Sequence, residues 1–266
     1  MIVLNMAMPA STAELVACLR GLLGQAIVVG ERTVTASGTF PTIEKLTIDV
    51  TGATPLDRPA ARWSAEAGEA LGDFGVAALE VVGRPFGTGV REVRIEAGAS
   101  NCRGEFARLA DGATALRIAG AQGGWLKGSV TRANAEAAFL AEAGEAARAH
   151  GVEIKGVQMN WRTDGPRELS AEVLIKAKKG FLPTATVRVH GRLKIDESMT
   201  ATILGLSVEG EGMVGSIGAG LLRPKLMKAE GMTQSLLALP LDAIRITDVR
   251  LVASDEALSV EGTFEG

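Results

Sequence analysis

Two histidines and two cysteines among 266 residues leave few of the side chains from which metal sites, redox pairs and general bases are assembled. No pair of either type has metal-ligand spacing, so neither a metal nor another cofactor is expected. Cys18 falls among Leu15, Leu19, Leu22 and Leu23 at helical spacing and reads as a small buried residue, whereas Cys102, within Asn101-Cys102-Arg103-Gly104, reads as exposed. A basic excess is missing too: the formal charge is -3 and the pI is near 5.6, which argues against general nucleic-acid binding. The opening Met1-Ile2-Val3-Leu4-Asn5 has no basic region followed by an apolar core, as a secretory signal would. A cytoplasmic location is therefore expected; the alternative is the periplasm, for an exported chain whose signal has been replaced by a new methionine.

Long hydrophobic runs are lacking as well, since none reaches the ~20 residues that span a bilayer, and no transmembrane helix is expected. Yet 47% of the residues are hydrophobic and the mean hydropathy is +0.20. That surplus needs an outlet: an internal cavity, a membrane-facing groove or a subunit interface.

Apolar spacing predicts a helix over 11–25, capped by Ser11 or Thr12, a shorter one from Arg58 to Leu71, and a long alanine-rich helix from Thr131 to His150 that stops at Gly151. A further helical stretch runs from Ser216 to Glu230, with Pro224 as a kink or a fresh start. Between them lie strands of two-residue period, the clearest being Val187 to Asp196, in the pattern of an antiparallel sheet with one dry and one wet face.

Four segments break that alternation in the same way. Ile43 to Ile48, Val90 to Ile95, Ile154 to Met159 and Ile246 to Leu251 each read apolar, two non-apolar residues, apolar, one polar, apolar. One extra residue at the non-apolar pair returns all three apolar side chains to one face, so each is expected to be a bulged strand. Repeated bulges coil a sheet. The expected class is therefore α+β, with a strongly bent, bulged antiparallel sheet wrapped around the long helix and additional shorter helices.

The order of these elements resembles the tubular lipid-binding (TULIP) superfamily. The likeness is carried by Ser129-Val130-Thr131 opening the alanine-rich helix, Gly151-Val152-Glu153-Ile154, long strands to Asp196, an apolar helix with Leu221-Leu222-Arg223-Pro224-Lys225-Leu226, and a closing hairpin from Ile244 to Phe264. The nearest likeness is to the bacterial LmeA-like phospholipid-binding proteins, over about residues 76–266. Residues 1–73 depart from the pattern and read as a helix-plus-strand extension joined to the same sheet, which makes 1–266 one elongated domain. The resemblance implies an apolar groove between sheet and helices that takes acyl chains, with Phe139, Leu140, Leu221, Leu222, Leu226, Met227, Leu236 and Leu237 as candidate lining residues; the stretches at Leu221 to Met227 and Leu236-Leu237 read equally as a cap on the core. A phospholipid or fatty-acyl amphiphile is the implied partner.

Signs of catalysis are sparse, and no enzyme is expected. His150 ends a helix and His190 falls on the polar phase of a strand. Gly210-Glu211-Gly212-Met213-Val214-Gly215 matches the dinucleotide fingerprint, but the helix after it leads into a half-polar hairpin strand where a buried parallel one is required. Val214-Gly215-Ser216-Ile217-Gly218 lacks the first glycine of a nucleophile elbow. Lys176, Lys178 and Lys179 stand before Phe181 and Leu182 at a turn. Cations beside an apolar tip suit the surface of an anionic membrane; the same turn also reads as a hairpin whose Phe181 folds back onto the core. The function expected is non-catalytic binding, or transport, of a long-chain amphiphile. The alternative is a structural or interaction protein whose apolar surface is a subunit interface.

Overall fold

A computed structural model describes residues 2–4, 7–28, 30, 33–56, 68–87, 89, 92–181, 183–238 and 244–266. Strands β1 (Ile2–Leu4), β2 (Val34–Thr39), β3 (Thr42–Asp49), β4 (Glu69–Phe86), β5 (Val93–Arg108), β6 (Thr114–Gly120), β7 (Gly123–Thr131), β13 (Arg245–Ala253) and β14 (Ala257–Glu265) form a nine-stranded sheet. Its order is β13-β14-β7-β5-β4-β3-β2, with β6 pairing β5 and β1 pairing β6. A second sheet, β12-β11-β10-β9-β8, is built from β8 (Glu153–Gly165), β9 (Glu168–Lys178), β10 (Ala185–Ile195), β11 (Thr200–Gly210) and β12 (Thr233–Ser235). The described helices are α1 (Thr12–Leu23), α2 (Arg132–Arg148) and α3 (Gly212–Ala229), with a 3-10 turn at Leu236–Ala238. The fold is α+β and rich in antiparallel pairing; the β3–β4 pair is parallel.

Three of the expected bulges are present. Across β2 and β3, Ser37 pairs Lys45 and Gly38 pairs Ile43, so Glu44 is the extra residue and Ile43 and Leu46 are both buried. In β8 the shift skips Lys155, and in β13 it skips Thr247, which puts Ile246, Val249 and Leu251 on one buried face. The fourth, at Val90-Arg91, lies outside the described residues. A further bend comes where β5 changes partner. Its first half pairs β7 and its second half β6, and Asn101 at the junction takes a positive φ of 47°.

Ser11 caps α1 by accepting the Glu14 N–H, while the Glu14 carboxylate accepts the Ala10 N–H at 2.8 Å. The helix buries Leu15, Cys18 and Leu19 against Val34, Ile43, Phe74 and the fully buried Phe106. Thr131 caps α2 in the same way, accepting from Asn134. Three expectations need correction. Cys102 is buried, not exposed, because β5 turns its side chain into the α1 core. Leu71 belongs to β4, so the helix expected over Arg58 to Leu71 does not reach it, and residues 57–67 lie outside the described residues. Helix α3 starts at Gly212, earlier than Ser216, and carries Pro224 in its interior, where no fresh helix begins.

A second core joins the sheets: Leu169, Ile195 and Met199 meet Ile246, Val249 and Leu251 of the β13–β14 hairpin. Trp161 fastens this junction. Its indole N–H donates to the Ser254 carbonyl at 2.8 Å and Arg132 lies 5.6 Å over its ring. Helix α2 leans on β8 and the end of β7, and none of its described residues is fully buried.

Candidate functional site

Alternation along β9 and β10 turns Val173, Ile175, Val187 and Val189 to one face of the second sheet, where Val208 of β11 joins them. Ala219, Leu222 and Leu226, at helical spacing on α3, cover this face from one side, and Phe139 of α2 covers it from the other. Helix α3 packs on β10 and β11 and α2 on β8; the two helices meet the sheet far more than each other. Strand β9 lies between these two contacts, and this strip of the face is the seam. Ile175 and Val187 are buried there, but Phe139, Ile154, Val173, Val189, Leu222 and Leu226 are only partly covered.

Carboxylates hold both helices in place. Glu136 of α2 accepts the backbone N–H of Met159 at 2.8 Å, on the outer edge strand β8. Beyond the C-terminal end of α3, Glu230 accepts the N–H groups of Gly205 and Leu206 at 2.9 and 2.6 Å. At the other end, Gly210 and Gly215 let the helix approach β11 backbone to backbone. A Cβ on Gly210 would stand 2.0 Å from the Gly215 carbonyl oxygen. Two glycines of the fingerprint-like segment, Gly210 and Gly215, are thus used in packing, and β11 before the helix is antiparallel to both neighbours. Ser216 donates to the Gly212 carbonyl one turn back.

Of the eight candidate lining residues, the seam brings together Phe139, Leu222 and Leu226. Leu236 packs at the junction of the two sheets instead. Leu140, Met227 and Leu237 face solvent; the Leu221 side chain lies outside the described residues. At the β9–β10 turn Phe181 is fully exposed, so it does not fold back onto the core. Lys176 is exposed, Lys178 and Lys179 are half-buried, and Leu182 lies outside the described residues.

Periodicity alone missed a concavity of about 510 Å³ on the polar side of the second sheet. Register places Asn160, Glu172 and His190 in one cross-strand row and Arg162, Ser170 and Arg192 in the next. Glu172 receives the Asn160 amide at 3.1 Å and faces Arg188 at 3.2 Å and His190 at 3.6 Å. Ser170 donates to Asp164, whose carboxyl is held below its ordinary range by that bond and by Arg162. The available signal was Arg188-Val189-His190-Gly191-Arg192, three basic residues on one strand face. Among the described residues no cluster of His, Cys, Asp or Glu is placed to hold a metal ion, and no helix is long and apolar enough to cross a membrane. No family model, curated protein or solved structure matches the chain.

Proposed function

We propose that this protein binds a long-chain amphiphile, a phospholipid or fatty-acyl compound, along the seam between α2 and α3, and that burial rather than catalysis is its work. The observation that carries this reading is the pair of helices lying on one apolar sheet face, where Phe139, Leu222 and Leu226 pack against the cluster yet stay partly exposed. A finished core would bury them. Apolar side chains are what an acyl chain needs, since each methylene withdrawn from water contributes about 0.8 kcal/mol. Six enclosed methylenes would contribute about 5 kcal/mol without any charged specificity pocket. The order of elements, helix then long strands then apolar helix then hairpin, resembles that of TULIP proteins and is in keeping with the same reading.

Titration with a fluorescent long-chain fatty acid tests it. Saturable binding is expected, weakened by Phe139→Ser or Leu222→Ser and unchanged by Trp125→Ser on the other sheet. Equal effects of all three substitutions, or no saturable binding, would sink the proposal.

A further inference from the structure

Helix α3 carries two apolar stripes. Gly215, Ala219, Leu222 and Leu226 turn towards the sheet. Half a turn away, Met213, Ile217, Gly220, Pro224 and Met227 repeat the same four-and-three spacing, and all five are exposed. Met213 is 71% and Met227 72% exposed, and Met232 just past the helix is 57% exposed. A surface helix ordinarily presents polar residues on its outer face.

Within α3 the charges are of one sign; Glu211 and Glu230 flank its two ends, and the Glu230 carboxylate is taken up by the N–H groups of Gly205 and Leu206. The ionisable residues of α3 are Arg223, Lys225 and Lys228, with no acid between Gly212 and Ala229. Arg223 and Lys228 are exposed. The Glu211 N–H donates to the Thr186 carbonyl at 3.0 Å, which ties the N-terminal end of α3 to the strand that follows the β9–β10 turn. That turn adds the fully exposed Phe181 and the half-buried Lys179 to the same end, while Lys176 and Lys178 alternate onto the opposite sheet face.

We propose that α3 lies flat on an anionic lipid surface through Met213, Ile217, Pro224 and Met227, with Phe181 inserting beside its N-terminal end. Methionine and phenylalanine enter the acyl boundary while the flanking cations meet headgroup phosphates. Charge complementarity selects this occupant. A second copy of the chain on the same face would set cation against cation. This face is opposite the seam, so the inference extends the amphiphile-binding reading to a separate surface.

Co-sedimentation with phosphatidylglycerol–phosphatidylcholine vesicles is the test. The protein is expected to partition onto them at least about tenfold more strongly than onto phosphatidylcholine alone, a difference of about 1.4 kcal/mol. The Met213→Ser/Met227→Ser variant should lose at least about tenfold. An Arg223→Gln/Lys228→Gln variant should lose most of the anionic preference, as should ~1 M salt, where the screening length falls to about 3 Å. The substituted side chains are solvent-facing, and circular dichroism checks that both variants stay folded. Equal binding to neutral vesicles, unaltered binding by both variants, or a dimer in sedimentation velocity that the methionine variant dissociates would overturn the proposal. Lipid extracted from a protein that ignores vesicles would leave the seam standing and remove the docking face.

Discussion

Replacing Glu136 should loosen the wall of the seam by an amount the structure allows to be worked out. Strand β8 is an edge, and an edge strand presents backbone N–H groups with no neighbouring strand to accept them. One of these, on Met159, is taken by the Glu136 carboxylate at 2.8 Å beneath α2. A hydrogen bond to a charged partner contributes about 1.5–3 kcal/mol, and its loss also leaves the donor part-buried and unpaired. Alanine recovers a few tenths of a kcal/mol in helix propensity. Glu136→Ala should therefore cost about 2 kcal/mol, or roughly 4–8 °C in Tm for a chain of this size. Glu136→Gln keeps an acceptor without the charge and should lose about half as much. Urea denaturation reads this as a lowered midpoint with an unchanged slope. Because α2 forms one side of the seam, uptake of the fluorescent fatty acid should weaken in the same order. Midpoints indistinguishable from the parent, or a glutamine variant as damaged as the alanine one, would refute the reasoning.

Other consequences are equally accessible. Gly104→Ala should destabilise strongly, because its Cβ would stand 2.3 Å from the Phe74 ring in the α1 core; an unchanged Tm would contradict that packing. Burial pushes the Cys18 thiol up to about 11 and raises Cys102 as well, so neither should react with a thiol reagent at neutral pH until the protein is unfolded. Asp248 is held below its ordinary range, first by the hydrogen bond from Arg167 at 2.7 Å. A depressed carboxyl stabilises the fold fully above the ordinary value of about 4 and loses that contribution as pH falls through the lower folded value. Asp248→Asn should accordingly flatten the loss of Tm below about pH 4 and lower Tm at neutral pH; parallel pH profiles would argue against the pairing.

The bulges were legible because a bulge leaves a local trace. Two non-apolar residues must separate apolar ones that share a face, as at Glu44-Lys45, Lys155-Gly156 and Thr247-Asp248. The caps at Ser11 and Thr131 were legible for the same reason. Strand pairing across long separations was not: nothing local in Leu258 to Phe264 says that β14 closes on β7, more than a hundred residues earlier in the chain. Cys102 was misplaced because its neighbours in β5 are small or polar, so the strand offers no apolar rhythm even where it enters the core. The lining residues were only partly found because α3 is apolar on both sides, and periodicity cannot say which stripe the sheet takes. The polar concavity required register, since Glu172 meets His190 and Asn160 only once β8, β9 and β10 are aligned.

Organic extraction of the purified protein, followed by mass spectrometry, asks the functional question without assuming a ligand. A long-chain amphiphile recovered at close to one per chain, and depleted in Leu222→Ser, is the outcome expected of a seam that binds by burial. A clean extract from monodisperse protein that also fails to take up a long-chain probe would contradict it.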